Sequence, residues 1–205
     1  MLSLKSTEFT GFLSHMKRAP LLKCLVMVAL LFILLPDLLI ARNPSFCSDP
    51  SPYQVTTLKA LGDAVGIKYT PGSCKPLYQQ LFQLETLNLE SKGIEDLTPL
   101  QGLTRLEKLI LDNNRIHDLE PLSRLNGLKK LFLVNNRIVD ISSLSSLEKL
   151  EYLYLSLNRI SDISALSGLK RLKYLYLSYN RVNSLAPLEH AYHLTWLIAD
   201  NNRIS

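Results

Sequence analysis

Four histidines, three cysteines and a column of arginines are the residues whose chemistry needs explaining first. His15 lies in an N-terminal stretch that reads as a leader, and His117, His190 and His193 fall on expected turns or on the outer side. No serine, histidine and acid come together in a hydrolytic motif. No glycine-rich phosphate loop and no metal-ligand spacing is present in the sequence. The chain therefore reads as a non-enzyme, with no metal and no cofactor. Cys24 belongs to the leader, which leaves Cys47 and Cys74 as a pair. Two thiols without a nearby histidine or acidic cluster make a poor metal site. A nucleophilic cysteine needs a base, and the nearest histidine in sequence is His117. In an exported segment the third reading, a disulfide, is preferred. Such a bridge would close a loop of about 28 residues and stabilise the fold by roughly 3.5 kcal/mol before strain.

The elements that position everything else come from a repeat. Leu84, Leu106, Leu128, Leu150, Leu172 and Leu194 follow one another at intervals of 22 residues. Each opens the pattern L-x-x-L-x-L-x-x-N-x-I, as in Leu150-x-x-Leu153-x-Leu155-x-x-Asn158-x-Ile160. The L-x-L alternation places Leu109 and Leu111 on one side of a short strand. One unit cannot bury its leucines alone, so the units must stack into a solenoid with a parallel sheet. Asn114, Asn136, Asn158, Asn180 and Asn202 form a column whose amides can satisfy backbone groups where the chain turns inward. The next column is Arg115, Arg137, Arg159, Arg181 and Arg203. Asp96, Asp118, Asp140 and Asp162 stand three positions beyond that column, with Ser184 in the fifth repeat. The arginine and aspartate columns are expected to neutralise each other along an exposed edge.

The residues between the leucines are individual to this chain. The third position reads Thr86, Lys108, Lys130, Tyr152, Tyr174, Trp196, and the fifth Asn88, Ile110, Phe132, Tyr154, Tyr176, Ile198. The eighth position adds Leu157 and Tyr179. Seven of the eight aromatic residues from Leu84 onward, all except Tyr192, are expected on the outward, concave side of the sheet. Phe132, Tyr152, Tyr154, Tyr174, Tyr176, Tyr179 and Trp196 are thus the candidate partner-binding residues. The same rings could serve only to stabilise neighbouring strands. They could also form a glycan platform, with Asp112, Asp200 and Asn201 beside them.

The flanks are read separately. Lys17 and Arg18 precede twelve uncharged, mostly apolar residues, Cys24–Leu35, bounded by Lys23 and by Pro36-Asp37. A span needs about 20 apolar residues, so residues 1–41 read as a secretory signal cut after Ala41. Met16 is a candidate start, and an uncleaved single-pass membrane anchor is the alternative. Residues 42–83 are expected to form a helical N-terminal cap. Ser51-Pro52-Tyr53-Gln54 has the form of a capping box, Gly66 can end the first helix, and a second helix is expected near 75–82. Residues 84–205 hold six repeats, the last incomplete, with Ala191 and Ala199 in place of core leucines. The uncapped edge could pair with another copy. The net charge is +5, of which +3 remains after residue 41. That is too little, and too scattered, for nucleic acid.

A leader, a helical cap and 22-residue repeats reading N-x-I-x-D-[IL]-x-x-L resemble the internalin-type leucine-rich repeat proteins of bacteria. The resemblance implies an α/β horseshoe with a parallel concave sheet, secreted, periplasmic or surface location, and a protein partner bound on that sheet. The cysteine pair in the cap resembles other exported bacterial repeat proteins. An intracellular, phosphatase-regulator type of scaffold shares the repeat length, but the leader argues against it.

Overall fold

Leucine spacing translates directly into strands. In the computed structural model, β1 (Thr86–Asn88), β2 (Lys108–Ile110), β3 (Lys130–Phe132), β4 (Tyr152–Tyr154), β5 (Tyr174–Tyr176) and β6 (Trp196–Ile198) pair in chain order. All five pairings are parallel, and every partner lies one repeat away, as in Leu131 beside Leu153. The described residues are 49–70 and 72–205, within a compact unit spanning 43–205. The leader with its possible start at Met16, Cys24 and Cys47 all lie outside the described residues. No helix among the described residues is long and apolar enough to cross a membrane.

The core is a stack of leucine layers. Leu109, Leu111, Leu131, Leu133, Leu153, Leu155, Leu175 and Leu177 are wholly buried. The return segments are five short 3-10 turns, Thr98–Leu100, Glu120–Leu122, Ser142–Ser146, Ser164–Gly168 and Ala186–Leu188. Their form has a local cause. The carboxylates of Asp96, Asp118, Asp140 and Asp162 each accept the backbone N–H two residues on, at 2.7–2.9 Å. Ser184 accepts the same bond from Ala186 at 3.2 Å. This side-chain turn fixes the entry to the 3-10 segment, and proline sits in the first two positions of three of the five turns.

The asparagine column joins the repeats. Asn136 Nδ2 donates to the carbonyls of Leu111 and Leu133, while its Oδ1 accepts the N–H of Ile116. Asn114, Asn158 and Asn180 repeat the arrangement, and each of the four is at most 9 % exposed. Where the first repeat has Lys92-Gly93, Asn114 Oδ1 reaches across and accepts from both Lys92 and Ile94.

Two helices, α1 (Pro52–Val65) and α2 (Cys74–Leu81), cover the first repeat. Ser51 and Gln54 close a reciprocal capping box, and Gly66 ends α1 in the left-handed conformation at φ 72°. Leu58, Leu61, Leu77 and Leu81 are fully buried. The Thr57 hydroxyl donates to the Asp96 carbonyl at 2.6 Å, and the Tyr78 hydroxyl donates to the Pro99 carbonyl. The cap is thus hydrogen-bonded to the first return segment, in addition to its apolar packing.

Candidate functional site

The outward side of the strands carries the rings. Alternation buries Leu131, Leu153 and Leu175 and leaves their flanking residues partly exposed. Because the strands are parallel and in register, equivalent rings fall beside one another. Phe132, Tyr154 and Tyr176 form one stacked column, with centroids 4.6 and 4.3 Å apart. Tyr152 and Tyr174 form a second, at 4.7 Å with nearly parallel planes. Lys130 Nζ lies 4.6 Å from the Tyr152 centroid, and Lys108 Nζ lies 5.6 Å from that of Phe132. Burial raises the Tyr154 phenol above its ordinary range, and the neighbouring phenols of Tyr176, Tyr152 and Tyr174 push it the same way. Asp112, beside the rings in the seventh position, is half-buried and accepts the Val134 N–H at 2.7 Å. Burial raises its carboxyl, against the pull of that bond.

The stacking divides the seven aromatics into two groups. Five rings stack face to face, Tyr154 on both sides and the other four on one. Tyr179 and Trp196 have no stacked neighbour among the described residues, and are 57 % and 52 % exposed. Leu157, one repeat before Tyr179, is 46 % exposed. Both Leu157 and Tyr179 have left-handed backbone, at φ 59° and 58°. The same position holds Asn113, Asn135 and Asn201 in other repeats, and Ser91 in the first. Asparagine tolerates this conformation, whereas a bulky side chain is strained in it. Such outliers concentrate at functional positions. Leu157 did not emerge as a binding residue from the aromatic pattern. The signal that marks it is its place in a column of Asn and Ser.

The arginine column behaves differently from the sequence expectation. Each aspartate gives one oxygen, Oδ1, to a backbone N–H, and no ion pair joins them to Arg115, Arg137, Arg159, Arg181 or Arg203 among the described residues. The backbone donor two residues on is always within reach of the carboxylate, whereas a guanidinium must give up side-chain freedom to arrive. The close ion pairs are instead Lys129–Glu107 at 2.7 Å and Lys173–Glu151 at 2.8 Å, in the second position of the repeat. His117 Nδ1 lies 4.0 Å from Glu95, and His190 Nδ1 lies 3.0 Å from the Tyr192 hydroxyl. Among the described residues no group of three metal-ligating side chains converges. Cys74 is buried at the first residue of α2.

A parallel ladder of three-residue strands, 3-10 returns and a buried asparagine column define a leucine-rich repeat solenoid. The sequence matches the Leucine rich repeat family over residues 104–160 and 126–182, and the two-copy Leucine Rich repeats family over 83–124. Residues 83–182 thus carry leucine-rich repeats. Three similar solved structures come from bacteria. An internalin (inlF) from Listeria monocytogenes is 28 % identical, with a TM-score of 0.66, over 73 % of this chain and 44 % of its own. A leucine-rich repeat protein of Leptospira interrogans is 28 % identical, with a TM-score of 0.59, over 63 % and 34 %. An internalin C2 from Listeria monocytogenes, at 24 % identity and TM-score 0.50, covers 79 % of this chain and 89 % of its own, and shares the fold. The chain thus spans less than half of the first internalin. No curated protein matches it.

Proposed function

We propose that this chain is an exported protein-binding module of the internalin-like, 22-residue repeat type, which holds its partner on the outward side of the sheet. The observation that carries this reading is the exposure of Leu157 and Tyr179 beside an aromatic floor made by Phe132, Tyr152, Tyr154, Tyr174 and Tyr176, with Trp196 on the next strand. Large exposed apolar side chains on a rigid, pre-stacked surface are the usual composition of a binding hot spot. A sugar packs its C–H groups on an open ring face, and the unstacked Tyr179 is where a glycan, the alternative ligand, would sit. The solenoid is a scaffold for binding rather than catalysis, and its internalin neighbours support a secreted or cell-surface setting.

The test is a panel of purified extracellular proteins beside a glycan array. Tyr154→Ala combined with Tyr176→Ala is expected to weaken binding to the protein partner at least ~30-fold, about 2 kcal/mol. Loss of the stacked contacts should lower stability by only ~0.5–2 kcal/mol. Glycan signals that fall while no protein is bound would overturn the reading. So would a loss of affinity no larger than the loss of stability explains.

Export and the cap staple belong to the same proposal. A bridge from Cys74 to Cys47 would tie the start of α2 to the segment before α1. Intact mass of the native protein should show a start near Arg42 and a gain of two hydrogens on reduction. An unprocessed chain with no mass change would sink both.

A further inference from the structure

Each inter-repeat turn exposes the arginine that follows its buried asparagine. Among the described residues none of these five guanidiniums has a carboxylate within ion-pair distance. Asp162 instead accepts the Ser164 N–H at 2.8 Å, and that bond and the Ser164 hydroxyl hold its carboxyl low. In the fifth repeat the aspartate is absent, and Ser184 does its turn-forming work. The row therefore lacks its acidic companion at Arg181.

Two of these turns carry a second feature. Leu157 stands two residues before Arg159, and Tyr179 two residues before Arg181. The two turns are adjacent in the stack: the Leu157 N–H donates to the Ser178 carbonyl, and the Tyr179 N–H to the Asp200 carbonyl, each at 2.9 Å. Apolar and cationic side chains thus alternate on neighbouring turns. A guanidinium offers a planar fork of donors that matches a carboxylate. Like charges repeated at about the inter-strand spacing of ~4.8 Å repel until an anion intervenes.

We propose that this row of turns docks an acidic, extended segment of the protein partner, with carboxylates on Arg159, Arg181 and Arg203 and apolar side chains against Leu157 and Tyr179. The proposal rests on the protein-binding reading above and adds the partner's chemistry. A peptide is favoured over nucleic acid or a sulfated sugar because Leu157 has nothing to offer a bare polyanion. A single file of arginines is also far from the dense basic stripe that nucleic acid selects.

The experiment uses the full chain and three fluorescein-labelled probes: a peptide of repeating Glu-Phe-Glu units, its Lys-Phe-Lys counterpart and a heparin oligosaccharide. Anisotropy should show binding of the acidic peptide and none of the basic one. Raised salt should weaken it, as expected for exposed charges. Arg159→Gln with Arg181→Gln should reduce it about tenfold. Leu157→Asn with Tyr179→Asn should reduce it as well. Thermal melts of each variant check that the fold survives. Heparin binding as tight as the peptide's, and indifferent to the Leu157 and Tyr179 changes, would replace this proposal with a simple polyanion site. No binding of the acidic peptide would overturn it. If the panel partner were still held in that case, the broader protein-binding reading would stand.

Discussion

Asn158→Ala is expected to cost on the order of 4 kcal/mol of folding stability. The side chain is 8 % exposed, so water cannot take its place. Its Nδ2 donates to the carbonyls of Leu133, Leu155 and Ser156 at 2.9, 3.0 and 3.3 Å, and its Oδ1 accepts the Ile138 N–H at 3.1 Å. Alanine would strand the Leu133 and Leu155 carbonyls and the Ile138 N–H, at ~1–3 kcal/mol for each left unpaired with some relief from relaxation, while the Ser156 carbonyl keeps the Asn135 N–H. Asn202 makes the same bonds to Leu177, Ala199, Asp200 and Val182. Its side chain is only half-buried, so Asn202→Ala should cost no more than ~1–2 kcal/mol. Urea unfolding of the two variants checks this. Because solenoid stability is a sum of nearest-neighbour terms, the interior change should also split or broaden the transition. Equal losses at the two sites would mean that burial does not set the worth of the column.

The stack itself was legible in the sequence, because a leucine pattern at a fixed interval leaves few ways to bury itself. The capping box at Ser51 and Gln54 was equally plain, since it depends on local spacing alone. The second helix was expected near 75–82 and runs from Cys74 to Leu81. The spacing of the return segments does not choose between helical and extended forms, and the aspartate bond to the N–H two residues on favours the 3-10 form. Column arithmetic says which residues are near one another in the stack, but not whether two long side chains meet, and the Arg and Asp columns do not pair among the described residues. The same limit applies to the rings. Spacing located Tyr152, Tyr154, Tyr174 and Tyr176 on one side, whereas stacking depends on side-chain torsions. The strain at Leu157 and Tyr179 was written in the sequence as two bulky residues in a column of Asn and Ser. It becomes readable once that column is known to be left-handed.

Replacing Leu157 and Tyr179 by asparagine should make the protein more stable and a worse binder. A bulky residue in the left-handed region costs roughly 1–2 kcal/mol, much of which asparagine avoids. Against that gain stands the burial lost. It is small, because Leu157 and Tyr179 are 46 % and 57 % exposed and neither takes part in the ring stacks. The double variant is therefore expected to gain about 2 kcal/mol in urea unfolding. Affinity for the panel partner should fall by ~30-fold or more, the loss expected when two exposed anchors are removed. The two readouts must move in opposite directions. A residue kept for the fold can be strained only if its packing compensates, and then its removal lowers stability. A residue kept for a partner can be strained and exposed together, since the compensation arrives only on binding. Stability and affinity falling together would return Leu157 and Tyr179 to the fold. A gain in stability with affinity unchanged would move the binding surface to the stacked rings alone.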